Sequence, residues 1–134
     1  LGAVYDTPHG IANAILLPYV IKYNSEKPTK FAAFPKYEYF IADKKYAKAA
    51  KFAGVAGKSD EESVNNLIEA VRKLMRDLDM PMCIKDCGVP EDVFMANLQG
   101  LAERAHDDQC TGANPRYPLV EEIKEIYRKA YYGE

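Results

Sequence analysis

The side chains of this 134-residue chain best suited to metal or nucleophilic chemistry are two histidines and three cysteines. His9 stands in Thr7-Pro8-His9-Gly10, just ahead of the apolar run Ile11-Ala12-Asn13-Ala14-Ile15-Leu16-Leu17. At the start of a helix the positive end of the dipole disfavours an imidazolium and leaves a ring nitrogen available to a metal. One histidine is not a metal site, and in this position it also suits hydrogen bonding to nearby backbone. Cys83-x3-Cys87 and His106-x3-Cys110 supply four ligands of the types zinc takes, and the i, i+4 spacing of the second pair puts both on one helix face. Structural zinc more often uses two-residue gaps, and the first pair frames only Ile84-Lys85-Asp86, so a self-contained zinc domain is the weaker reading. Taken alone, Cys110 reads as a small buried apolar residue at a helix end.

Other constellations carry less. There is no Gly-rich phosphate loop of Rossmann or Walker type and no Gly-x-Ser-x-Gly elbow. Glu61-Glu62, Asp107-Asp108 and Glu121-Glu122 read as capping groups or solvated faces, and His106 as an exposed or partly exposed residue without a role. The net charge of -2 comes from interspersed acids and bases, which argues against nucleic acid as a partner. The longest apolar run, Ile11 to Leu17, is interrupted by Asn13 and ended by Pro18, well short of the ~20 residues that span a bilayer, so no membrane segment is expected. Leu1-Gly2-Ala3-Val4-Tyr5 has neither the basic start nor the apolar core of a secretory signal. An odd number of cysteines outside any disulfide framework fits a reducing cytoplasm. A start at Leu1 suggests a cut from a longer chain.

The elements that must position these residues are helices. Thr7 is the expected N-cap and Pro8 the first helical position of a buried central helix ending near Tyr23 and Asn24, with a bend near Leu17 where Pro18 removes a backbone donor. From Asn24 to Phe40 the prolines and aromatics predict an irregular connection pinned to the core by Phe31, Phe34, Tyr37 and Tyr39. A short helix over Asp43 to Phe52 turns Tyr46, Ala47, Ala50 and Ala53 inward before the stop signals Gly54 and Gly57. Ser59-Asp60-Glu61-Glu62 fits a capping box, followed by the stripe Val64, Leu67, Ile68, Val71, Leu74, Met75 and Leu78, with Pro81 as its end. Pro90-Glu91-Asp92 opens a helix carried by Phe94, Leu98, Leu101, Ala102 and Ala105. Pro118 starts the last one, with Leu119, Ile123, Ile126, Tyr127 and Ala130 inward. Between them Asn114-Pro115-Arg116-Tyr117-Pro118 reads as a rigid turn whose arginine is placed for a forked carboxylate or backbone contact. No segment alternates as a strand does, so the class is all-α, a compact bundle of about five helices forming one domain over 1–134.

Two of these segments also carry a family likeness. Leu1-Gly2-Ala3-Val4-Tyr5-Asp6-Thr7-Pro8-His9-Gly10 running on to Pro18, and Asp107-Asp108-Gln109-Cys110-Thr111-Gly112-Ala113-Asn114-Pro115-Arg116, with the closing Tyr131-Tyr132-Gly133, resemble the C-terminal helical half of iron-dependent alcohol dehydrogenases. Within the family, the segments look most like the alcohol dehydrogenase part of the bifunctional aldehyde-alcohol dehydrogenases. The resemblance implies an oxidoreductase that interconverts a short primary alcohol and its aldehyde, acetaldehyde and ethanol in fermentation, using Fe2+ (zinc as the alternative metal) and NAD(H). It makes His9 the fourth metal ligand, the aspartate and two histidines of the set lying upstream, and Cys110 a wall of the substrate cleft and not a nucleophile. A preceding α/β domain would hold the cofactor, so this chain alone is expected to be inactive and to bind neither metal nor NAD(H) tightly. The resemblance further implies a homo-oligomer or filament when full length. A helical assembly module is the alternative reading.

Overall fold

Helix α2, His9–Ser25, is the element against which most of the others pack. The structure is a computed structural model that describes residues 1–30 and 40–134; among these, every regular element is helical. A short α1, Gly2–Tyr5, precedes α2; α3, Ala42–Phe52, and α4, Asp60–Asp77, follow it, then α5, Glu91–Asp107, and α6, Val120–Tyr132. Single 3-10 turns lie at Lys85–Cys87 and Thr111–Ala113. Helices α3 and α4 pack on each other and on one side of α2, while α5 and α6 pair and α6 closes on α2. The expected all-α bundle is therefore found, with one helix more than the periodicity predicts, because a four-residue α1 is too short to show a period. No helix among the described residues is long and apolar enough to cross a membrane.

The start of α2 departs from expectation. Pro8 is the cap, with φ -53 and ψ 136, and its carbonyl accepts the Ala12 N–H at 3.0 Å. With Pro8 extended at ψ, helical geometry begins one residue later than expected, and Thr7 is buried without capping the helix. The helix continues through Pro18 and stops where Glu26 turns extended, two residues before Pro28. It is less enclosed than its composition suggests. Ala12, Ile15, Pro18, Tyr19, Ile21 and Asn24 are buried, but Leu17 is 43% exposed. Phe31, Phe34, Tyr37 and Tyr39 lie outside the described residues.

Helix α4 is capped as its sequence demands, Ser59 Oγ accepting the Glu62 N–H at 3.1 Å, although the Glu62 carboxylate reaches back to the Lys58 N–H instead of the cap's own. The preceding turn uses Gly54 at φ 76, where a β-carbon would be strained. Val64, Ile68 and Met75 are buried, whereas Leu74 and Leu78 are 58% and 61% exposed. The helix ends at Asp77, and Asp79 takes the left-handed conformation, so the stop precedes Pro81 and the last turn's outer leucines have nothing to pack on. Leu119 is likewise exposed. It is the cap of α6, where its N–H donates to Glu122 Oε2 at 2.8 Å, and not part of the inward stripe. The main core joins Ile15 and Tyr19 of α2, Met75, Ile84 and Val89, Phe94 and Leu98 of α5, and Ala130 and Tyr131 of α6. Its centre is the stack of Phe94 on Tyr131, centroids 4.3 Å apart, with the Tyr131 hydroxyl donating to the Val89 carbonyl at 2.9 Å.

A polar cluster fastens the α5–α6 connection to the end of α2. Arg116 is 9% exposed and lies against the Tyr23 ring, 4.0 Å from its centroid. Its Nη1 donates to the Tyr23 carbonyl at 3.0 Å and to Glu26 at 3.3 Å, and its Nη2 pairs with Glu122 at 3.4 Å. Glu122 also accepts from the Tyr23 hydroxyl at 2.9 Å and from the Lys30 amine. Burial alone would raise the Glu122 pKa, but the hydrogen bonds from Lys30, the Leu119 N–H and Tyr23 outweigh it and hold the carboxyl below its usual range. Tyr23, pushed up by burial and by the adjacent carboxylate, stays a neutral donor. Arg116 makes the expected carboxylate and backbone contacts, but it divides Nη1 and Nη2 among Glu26, Glu122 and the Tyr23 carbonyl instead of forking onto one carboxylate.

Two outcomes follow for urea unfolding of the 134-residue chain. Met75→Ala should cost about 2–5 kcal/mol and its neighbour Leu74→Ala no more than about 0.5 kcal/mol, the reverse ranking indicating that the α4 stripe faces otherwise. Because the Glu122 carboxyl is depressed on folding, its contribution is complete above the ordinary carboxylate pKa of about 4.3 and is lost as pH falls below it. The urea midpoint should therefore drop between about pH 5 and pH 3, and Glu122→Gln should make that drop shallower.

Candidate functional site

His9 is the first residue of α2 and is exposed. No acidic side chain occupies the first turn of the helix. Among the described residues no three His, Cys, Asp or Glu side chains come together to hold a metal. What this chain offers is a single accessible nitrogen donor at a helix start, which fits one ligand of a set completed by other residues.

Cys110 is placed by its own loop. Helix α5 ends at Asp107, and Asp108 Oδ1 accepts the Cys110 N–H at 2.8 Å, turning the chain away from the helix axis. Thr111 Oγ1 then donates to the Ala105 carbonyl at 2.6 Å, tying the turn back to α5. Asn114 and Asn24 of α2 exchange amide bonds of 2.7 and 3.1 Å, and Asn114 Nδ2 also donates to the Arg116 carbonyl at 2.6 Å. The thiol is exposed, which corrects the expectation that a cysteine here would be a buried apolar residue. It stands beside a cavity of about 310 Å³ between α2, α5 and α6, whose walls include Leu16, Val20, Ile126 and Tyr127. His9 does not line this cavity; it precedes Leu16 by seven residues, about 10 Å along the helix.

The four candidate zinc ligands are not brought together. Since α5 stops at Asp107, Cys110 does not share a helix face with His106. The His106 ring is occupied otherwise, edge-on to Tyr117 at 5.7 Å, with Nε2 3.3 Å from the Tyr117 hydroxyl and Nδ1 3.3 Å from Asp107. Cys83 is buried beside the main core, and the Cys87 thiol is aimed at the Cys83 carbonyl at 3.8 Å. Burial raises the pKa of both thiols, which opposes the thiolate that a zinc ligand must supply.

Sequence reasoning missed the Asn24–Asn114 exchange and the convergence of Tyr23, Lys30 and Glu122. A partner 90 residues away has no local signature. Only the clustering of Asn114, Pro115 and Arg116 after the cysteine hinted that this loop is held in one shape.

Comparison with known proteins bears on the whole chain. The profile described as Fe-containing alcohol dehydrogenase family, C-terminal, matches residues 1–131. The aldehyde-alcohol dehydrogenase of Streptococcus pneumoniae serotype 4 (strain TIGR4) is 43% identical over 133 residues, which is 99% of this chain and 15% of that protein. The bifunctional aldehyde-alcohol dehydrogenase AdhE of Escherichia coli (strain K12) is 43% identical over 136 residues, again 99% of this chain and 15% of the relative. Among solved structures, a 1,3-propanediol oxidoreductase superposes with a TM-score of 0.76 at 32% identity, covering 98% of this chain and 30% of that one. The chain thus spans between about a seventh and a third of the proteins it resembles. From the matched profile, the shared helical fold and identity above 40% over nearly its full length, the chain belongs to the Fe-containing alcohol dehydrogenase family, as that family's C-terminal part.

Proposed function

We propose that this chain is the helical, metal-side domain, residues 1–134, of an enzyme that interconverts a short primary alcohol and its aldehyde, acetaldehyde and ethanol first, by hydride transfer with NAD(H). The family match over residues 1–131 carries the reading. It is supported by an exposed histidine donor at the start of α2 and an exposed thiol beside a cavity, the two positions the family motifs single out. His9 would hold a ferrous ion, which when bound polarises the substrate oxygen and stabilises the charge that develops on it during hydride transfer. Cys110 walls the substrate cleft, its backbone held by Asp108 and its loop tied to α5 through Thr111. Neither residue serves as the proton donor or nucleophile. An upstream α/β domain supplies the other metal ligands and the dinucleotide site, because among the described residues no three metal-ligating side chains come together and the sequence carries no Gly-rich phosphate loop.

Two measurements test this reading. The 134-residue chain should show no NADH-dependent acetaldehyde reduction and well under one iron per chain by elemental mass spectrometry. When it is joined to the α/β half of a relative, iron should become stoichiometric and turnover should appear. His9→Ala should then lose the iron and about 100-fold or more in activity, while Cys110→Ala should keep the iron and alter KM. Iron retained in full by the joined His9→Ala protein overturns the assignment.

A second reading, in which the domain also serves assembly, draws on the exposed Phe52, Leu74 and Leu78. Sedimentation velocity should then show self-association that Leu74→Ser with Leu78→Ser abolishes; a monomer at all concentrations rejects it.

A further inference from the structure

We propose that the outer face of α3 is a docking surface for a short acidic segment of a partner protein, held by Lys44, Lys45, Lys48, Lys51 and the exposed ring of Phe52. This face takes no part in the chemistry proposed for His9 and Cys110. At about 100° per residue, the four lysines and Phe52 fall within an arc of about 120°, opposite the face that buries Ala42, Ala47 and Ala50. All five are exposed, and Phe52, at 83%, is the most exposed large apolar side chain among the described residues. Lys48 Nζ stands 5.8 Å from the centroid of the Phe52 ring, so charge and ring belong to one patch.

A helix that only had to stay soluble gains nothing from this arrangement. Lys44 and Lys48 are four residues apart, and Lys45, Lys48 and Lys51 follow one another at three, spacings at which like charges repel across a helix surface. Lys44 and Lys45 also lie toward the start of α3, where the helix dipole disfavours a cation. The one acid of the helix, Asp43, accepts the Lys44 N–H at 2.8 Å. Among the described residues none of the four lysines has an ion-pair partner. On α4 and α6 the pattern is the opposite: Lys73 pairs with Asp77, Lys124 with Glu121 and Arg128 with Glu125. The chain as a whole carries -2, so the uncompensated positive charge is local to α3. Ammonium groups on flexible stems suit carboxylates strung along a peptide, and α3 has no arginine to fork onto a phosphate. Asp60, Glu61 and Glu62, which open α4 soon after Phe52, set a negative border that turns away a long polyanion such as nucleic acid or an anionic membrane. The 11 residues of α3 rise about 16 Å, the reach of about five residues of extended chain. Phe52 adds a contact for one apolar side chain of that segment.

Fluorescence anisotropy tests the surface with a short labelled peptide of alternating glutamate and serine around a central leucine. The titration is run on the 134-residue chain and on the chain joined to an α/β half. Both should bind the peptide saturably, and raising salt from about 0.05 to about 0.3 M should weaken the binding. Lys44→Glu combined with Lys48→Glu and Lys51→Glu should weaken it by about tenfold or more, with circular dichroism that of the folded chain. Phe52→Ser, or serine in place of the peptide's leucine, should weaken it by about threefold. If the triple variant fails to fold, Lys48→Gln and Phe52→Ser decide, each expected to lower affinity. Absence of saturable binding, or full binding by the folded triple variant, overturns the proposal. Duplex DNA or phosphatidylserine vesicles that bind as tightly as the peptide at equal charge overturn it in favour of a polyanion surface. Self-association that the triple variant abolishes assigns the face to a second copy of the chain instead. Binding that disappears in the joined protein also overturns it, since the face is then covered within the enzyme.

Discussion

The Arg116 guanidinium is the constraint on which the site-bearing half of the molecule depends. It is nearly buried, it carries a full charge, and such a group is tolerated only where its surroundings answer it with charge and hydrogen bonds. Glu122 of α6, Glu26 and the Tyr23 carbonyl at the end of α2 provide that answer, and the Tyr23 ring covers one face. The same Glu122 caps α6 through the Leu119 N–H. One carboxylate thus joins the start of the last helix, the end of the central one and the connection from α5 to α6. The exposed thiol keeps its place because the backbone that follows it is anchored at this point.

The division of labour between the two ends of α2 follows from helix geometry. Its N-terminus is open, uncapped by any side chain and headed by His9; its C-terminus is enclosed by Tyr46, Asn114 and Arg116. Tyr23 and Ile126 stand between two different environments. One is the apolar cavity beside Cys110, and the other is a charged crevice of about 220 Å³ that includes Lys22, Glu26, Glu125 and Lys129. Hydrocarbon and ionic surroundings are kept apart there by a single layer of side chains.

What was legible in the sequence was whatever the chain encodes locally. The apolar spacing of α4, α5 and α6, the cap at Ser59 and the turn before Arg116 are written within a few residues of where they act, and the structure has them. Thr7 misled because a proline after it moves the cap by one position. Leu74 and Leu78 misled because periodicity reports which face a residue shares, not whether another element covers that face. His9 and Cys110 were found through the motifs around them, while the cavity that gives Cys110 a setting depends on residues from three helices that no local pattern connects.

The bonds that hold the Cys110 loop on α2 span long stretches of chain: 90 residues for the two asparagines, 93 for Arg116 and the Tyr23 carbonyl, 99 for Tyr23 and Glu122. Closing loops of that length is paid for in chain entropy before any contact rewards it. On a ribosome, α2 emerges well before Asn114, Arg116 and Glu122, so the bonds these residues make to Tyr23 and Asn24 wait until nearly the whole domain has been synthesised. The floor of the cavity is consequently among the last parts of the domain to exist, and the neighbourhood of the thiol comes into being in one step with the docking of α6.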